Sequence, residues 1–396
     1  MKHVITGATI FDGQQMLSQH SLVLENQRIH SIISNEQIDS SLTSTQLRGG
    51  TLSAGFIDLQ VNGGGGLLLN NAATPNTIKT MLKAHRSKGV CAMLPTVITD
   101  TRAITAAAID AVRTLRQQQY PGVLGLHIEG PFFNPQRRGV HQQDHIRKLS
   151  TEDIDWLCNQ ADIPIMLTLA PEQTEAGQIK ALSEAGIIVC AGHTDALAAD
   201  IERAFAEGLQ GFTHLFNAMR PMSSREPGVV GAALADNDSY CGIIVDGHHN
   251  HPSTVLVAHK AKAAGHLYLV SDAMATIGSD NKTFELYGET ITEKEGCLFN
   301  SENRLAGSAI GLIDAVKISH QTVGLPLDEC LKMASLYPAR FIQQQQHFGH
   351  ISSGLNANLV HFDDDFQVTH SWVNGDMESH PGTDHLDNDQ QEHNHL

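Results

Sequence analysis

No apolar run in the 396-residue sequence is long enough to span a bilayer, which argues against a transmembrane segment. The start, Met1-Lys2-His3-Val4, leads into no long apolar core and no small-residue cleavage site, so a signal peptide is not expected. The six cysteines (Cys91, Cys158, Cys190, Cys241, Cys297 and Cys330) form no CxxC pair. Several sit in apolar runs such as Ile187-Ile188-Val189-Cys190, and they read as reduced, buried residues of a cytoplasmic protein. Cations are scarce: Lys plus Arg is 26 against 43 Asp plus Glu, a net charge of −17. That balance excludes the basic footprint of a nucleic-acid binder and opposes docking on anionic membranes. An anionic small substrate would have to be held by local cations. With 41% hydrophobic and 17% charged residues, the chain is globular rather than disordered.

Residues 1–50 carry short β-prone runs, Val4-Ile5, Thr9-Ile10-Phe11, Ser21-Leu22-Val23-Leu24 and residues 28–33, punctuated by turns at Asp12-Gly13 and Glu25-Asn26-Gln27. From residue 51 short apolar runs alternate with Ala-rich helical stretches. The runs are 55–61, 89–94, 123–129, 165–170, 187–191, 211–214, 240–246 and 266–272, with helical segments such as 76–87, 102–118, 196–207 and 254–264 between them. Eight strand-helix units predict a (β/α)8, TIM-like barrel over 51–354. Residues 283–300 read as a hairpin or lid-like excursion, and 312–323 and 327–336 as helices, the second closed by Tyr337-Pro338. The β pattern returns at 357–362 and 366–373, with Asn374-Gly375 as a turn. Residues 355–376 are too few to fold alone. They are expected to join 1–50 in one discontinuous β-sandwich domain with the barrel inserted, leaving 377–396 as a polar, disordered tail.

Active sites of such barrels lie at the C-terminal ends of the strands. The third predicted strand ends at Glu129, the fifth runs into Gly192-His193, the sixth ends at His214, and the eighth ends at Asp272; the seventh leads to Asp246-Gly247-His248-His249. Glu129 alone fits a salt-bridged carboxylate as well as a metal ligand. With two imidazoles on adjacent strands it forms a donor set suited to a catalytic divalent cation. Asp272 is placed to accept a proton from an activated water and deliver it to a leaving group; capping the following helix is its plainer alternative. Gly63-Gly64-Gly65-Gly66 lacks the spacing of a phosphate-binding loop and reads as backbone that approaches the site closely.

Ala54-Gly55-Phe56-Ile57-Asp58, His127-Ile128-Glu129-Gly130-Pro131, Ala191-Gly192-His193, residues 213–219, Arg225-Glu226-Pro227-Gly228 and Val270-Ser271-Asp272-Ala273 together resemble the N-acetylglucosamine-6-phosphate deacetylases of the amidohydrolase superfamily. The resemblance runs from Gly7 to Gly375. It implies metal ligation by Glu129, His193 and His214, with Asp272 as general base and acid. It implies substrate contacts at Val140, His141, Asn217, Ala218, Arg225, His249, Leu305, Ala306 and Gly307, and a homodimer in which Arg225 and His249 reach the neighbouring subunit's phosphate pocket. The substrate implied is a small phosphorylated amino sugar. Many superfamily members carry His-x-His at the end of the first strand, whereas this sequence reads Gln60-Val61-Asn62. Amides are poor ligands for zinc-like ions, so one metal per subunit is expected: zinc foremost, with iron, cobalt, manganese or nickel as further candidates. The alternatives are a cyclic-amide hydrolase of the same superfamily and a sugar-phosphate sensor that has lost catalysis. The missing His pair and the absence of a Lys ending the fourth strand oppose the first. The complete set of Glu129, His193, His214 and Asp272 opposes the second.

Overall fold

The computed structural model describes residues 2–301 and 305–380. Its centre is a parallel sheet of eight strands in sequential order: Phe56–Val61 (β1), Val90–Ile98 (β2), Leu126–Glu129 (β3), Ile165–Leu169 (β4), Ile188–Ala191 (β5), Gly211–Phe212 (β6), Tyr240–Ile244 (β7) and Leu267–Val270 (β8). The two edges meet through Asp272 N donating to Gln60 O at 3.0 Å and Asn62 N donating to Ala273 O at 2.9 Å. These bonds close the barrel at the residues that carry the candidate chemistry. All eight predicted strands are present. β2 continues past Pro95 to Ile98, with a register irregularity between Met93 and Pro95, because a bulge accommodates the missing N–H.

Helices between the strands begin with side-chain caps that satisfy otherwise unpaired N–H groups. Thr74 accepts from Thr77 N ahead of Pro75–Arg86, and Thr101 from Ile104 N ahead of Arg102–Gln117. Their buried faces complete one continuous barrel core, which includes Phe56, Phe212 and Tyr268. Tyr337-Pro338 does not end a helix, as expected from sequence, but stands near the start of a new one, Leu336–Phe341, where proline's missing N–H does little harm.

Two further sheets lie outside the barrel. One contains Lys2–Thr6, His20–Glu25, Arg28–Ser34 and Thr43–Gln46. The other joins Thr9–Phe11, Met16–Leu17 and Thr51–Ala54 to Leu359–Phe362, Val368–Val373 and Asp376–Ser379. They share a core that includes Ile5, Leu22, Leu52, Leu359 and Trp372. The edges of this unit differ from expectation in two places. Thr51–Ala54 pairs with Leu359–Phe362, so the barrel proper starts at β1. Residues 377–379, assigned to the tail, complete a hairpin through Asn374-Gly375, whose φ angles of 50° and 84° suit that turn. The rest of the expected tail, 381–396, lies outside the described residues.

The excursion after β8 is a four-stranded sheet of Thr283–Leu286, Glu289–Lys294, Cys297–Phe299 and Leu305–Ser308. It docks where the barrel closes, through Ser308 N donating to Asp272 O at 2.9 Å and Met274 N donating to Ser308 O at 3.1 Å. All six cysteines are free, five of them buried. No helix among the described residues is long and apolar enough to cross a membrane.

Candidate active site

β3 delivers Glu129 to the barrel mouth, and the turns after β5 and β6 deliver His193 and His214. Glu129 Oε1 lies 3.2 Å from His193 Nε2 and 3.1 Å from His214 Nε2, and the two imidazole nitrogens are 3.0 Å apart. All three side chains are buried. His193, His214 and Asp272 have φ angles of 50°, 35° and 52°, a region costly for residues with a Cβ and concentrated at functional sites.

The second nitrogen of His193 fixes its role. Nδ1 lies 2.9 Å from Arg137 O, and a carbonyl only accepts, so Nδ1 carries the proton. In the neutral ring the Nε2 lone pair then faces Glu129 and His214. Phe133 stacks on this ring at 4.3 Å. The Arg137 side chain is anchored by Asp195, with Nε 2.8 Å from Oδ1.

Electrostatics follow the same geometry. Burial alone would push the Glu129 carboxyl up, but the adjoining imidazoles of His193 and His214 hold it well below the ordinary range. Burial pushes His193 down and outweighs the pull of the neighbouring Glu129 carboxylate. For His214 burial is overcome by the Glu129 bond and by the charges of Glu129 and Asp272, so it is raised. A carboxylate oxygen and two imidazole nitrogens converging within hydrogen-bond distance fit a divalent cation. Among the described residues this is the single cluster of three such ligands.

Gln60 and Asn62, read in the sequence only as poor metal ligands, have a defined task. Asn62 Nδ2 donates to Asp272 Oδ1 at 2.6 Å, and Gln60 Nε2 donates at 3.1 Å to both Asp272 Oδ1 and Glu129 Oε1. Their donors, not their lone pairs, face the two carboxylates, which does not make a second cation cradle. Asp272 is raised to about 6, by burial first and then by the Glu129 charge.

His141 is buried beside this group, its ring 4.4 Å from that of His193. Burial, then the neighbouring His193, holds it well below its ordinary value and so neutral. Val140 is half-buried and packs against the hydrophobic cluster that includes Met274, Leu298 and Ala306. Asn217 and Ala218 follow His214 in the β6 loop, where Ala218 O accepts from Thr194 N at 3.1 Å. Leu305, Ala306 and Gly307 form the strand tied to Asp272; a Cβ on Gly307 would stand 2.7 Å from Met274 Cγ and 3.1 Å from Asp272 O.

The two expected phosphate contacts lie apart from the Glu129 cluster. His249 is pinned by Asp246, Nδ1 to Oδ2 at 2.6 Å. This pairing fixes the ring at the β7 end of the barrel mouth. Arg225 is exposed on the β6 loop, and no hydrogen bond or ion pair ties it to another described residue. Sequence reasoning missed the Thr99 N–H, which donates to His141 Nδ1 at 3.4 Å, and the Arg137 carbonyl, because any residue type supplies such backbone groups.

A closed parallel barrel with this donor set and a buried carboxylate just after β8 is the arrangement of a hydrolase suited to a divalent cation. Residues 51–377 match the amidohydrolase family, and residues 3–52 match the NagA composite domain. The chain belongs to the amidohydrolase family. It is 42% identical to an N-acetylgalactosamine-6-phosphate deacetylase of Shewanella sp. (strain ANA-3), over 84% of each chain. It is 35% identical to an N-acetylglucosamine-6-phosphate deacetylase of Haemophilus influenzae, over 95% of this chain and 99% of that one. The crystal structure of N-acetylglucosamine-6-phosphate deacetylase from Pasteurella multocida aligns with a TM-score of 0.93 and 36% identity, covering 96% of this chain and all 100% of that one.

Proposed function

We propose that this enzyme hydrolyses the acetamido group of N-acetyl-D-glucosamine 6-phosphate, giving D-glucosamine 6-phosphate and acetate in amino-sugar catabolism. The observation that carries the reading is the convergence of Glu129, His193 and His214 beside an Asp272 held by two amides. Those three residues would hold one divalent cation per subunit, zinc foremost. Bound there, such an ion supplies Lewis acidity, lowering the pKa of water and polarising a carbonyl.

The chain's own residues do the rest. Asp272 Oδ1 is occupied by Asn62 and Gln60, leaving Oδ2 to take the proton of the attacking water and pass it to the departing amine. Neutral His141 donates to the amide oxygen as negative charge develops on it. Arg225 binds phosphate as a planar fork and His249 adds a donor. The exposed position of Arg225 suits a contribution across a homodimer. The paired amides at Gln60 and Asn62 disfavour the two-metal cyclic-amide hydrolase, and the complete acid/base and ligand set disfavours a sensor.

The relative named for the galactosamine epimer raises a second substrate, differing only at C4. Acetate release from both 6-phosphates and from unphosphorylated N-acetylglucosamine, with metal content measured in parallel, tests the assignment. Preference for the glucosamine epimer is the expected result. Preference for the galactosamine epimer would move the substrate to that sugar, and equal rates with and without phosphate would remove the phosphate role from Arg225 and His249.

A further inference from the structure

Three hydrogen bonds meet at Thr99, the residue that follows β2. Its N–H donates to His141 Nδ1 at 3.4 Å, its hydroxyl donates to Glu129 O at 3.3 Å, and its carbonyl accepts the Tyr287 hydroxyl. Tyr287 comes from the turn between Thr283–Leu286 and Glu289–Lys294, far along the chain. It is half-buried with φ of 52°, uncommon for a bulky residue, so contacts must hold the turn in that shape.

A backbone N–H can only donate. His141 Nδ1 is therefore the accepting nitrogen, and the proton of the neutral ring sits on Nε2. The edge contacts with Phe133 at 5.0 Å and His193 at 4.4 Å orient the ring plane. Those ring contacts do not choose between the nitrogens; the Thr99 N–H does.

We infer that Tyr287 is a positioning residue: by gripping the Thr99 carbonyl it keeps the Thr99 N–H on His141 Nδ1, so that His141 presents Nε2–H to the substrate carbonyl. This rests on the deacetylase reading for its catalytic consequence. It links the seating of the excursion over the barrel mouth to the readiness of a group inside it. Unseating the Tyr287 turn would release the Thr99 peptide and free the imidazole to change tautomer.

Tyr287→Phe keeps the ring and removes only the hydroxyl. Its kcat should fall about tenfold, the size of one neutral hydrogen bond, with KM within about twofold. The imidazole is read directly in 15N spectra of zinc-loaded, histidine-labelled protein, with the His141 signals assigned by their absence in His141→Gln. Wild type should show Nδ1 unprotonated and Nε2 protonated, and Tyr287→Phe should move both toward a tautomer mixture. A proton on Nδ1 in the wild type would overturn the inference. So would a Tyr287→Phe variant with an unchanged spectrum and kcat, whether or not KM rises. The spectra are recorded without substrate, so failure of the deacetylase reading, no acetate from wild type, is separate from failure here.

Discussion

Asp272→Asn isolates the proton-transfer step with little steric disturbance. The amide is isosteric, and its oxygen can accept the same donors that reach Oδ1, Asn62 Nδ2 at 2.6 Å and Gln60 Nε2 at 3.1 Å. The backbone ties to Gln60 O and Ser308 N are untouched. The Glu129, His193 and His214 cluster does not include residue 272, so metal content should hold. What disappears is a carboxylate raised to about 6, close to the working pH, where a general base is most effective. Loss of such a group costs about 10²- to 10⁴-fold, or about 3–5 kcal/mol of barrel-mouth transition-state stabilisation. The assay is acetate release at saturating substrate, with metal per subunit measured on the same sample. Turnover within about threefold of wild type, with metal retained, would refute Asp272 as the proton carrier.

Asn62→Leu removes the 2.6 Å donor to Asp272 without touching Glu129, so kcat should fall about 10- to 100-fold while metal content is unchanged; an unaltered kcat would contradict the positioning role. Glu129→Gln should weaken metal binding at least about a hundredfold in a chelator-competition titration, with rate restored in part by excess metal. Buried His85, His361 and His380 and half-buried His370 are all held below the ordinary histidine value, chiefly by burial, His85 to about 4. The unfolded chain therefore takes up protons first: stability is full above pH 6.5 and falls as the pH drops from there toward about 4, by up to about 3 kcal/mol for His85. The change in denaturant midpoint of metal-free protein from pH 7 to 5 should be more favourable in His85→Gln than in wild type, and an equal or less favourable change would contradict the sign. Phe56→Ala, at a fully buried barrel position, should cost about 3–5 kcal/mol in the same assay.

The barrel was legible because each strand is a short apolar run buried on both faces, and the ligands were legible because they end such runs. Gln60 and Asn62 were visible as a departure from His-x-His, yet composition alone could not show that their amide donors converge on Asp272. β2 hid its last turn toward Thr99 behind Pro95, whose bulge no periodicity reveals. Thr99 and Arg137 work through N–H and C=O groups, which carry no sequence signal. The left-handed backbone at His193, His214 and Asp272 was equally silent, since glycine is the usual marker of that region. The pairing of His249 with Asp246 was equally unreadable, because it depends on the local turn after β7.

The central claim is that Glu129, His193 and His214 form a cation site that makes this chain a sugar-phosphate deacetylase. The most direct test strips the protein with chelator, then follows acetate release from N-acetylglucosamine 6-phosphate as a divalent ion is titrated back. Stripped protein should release no acetate, and recovery should saturate at one ion per subunit. Full activity without metal, or saturated metal binding with no acetate, would contradict it.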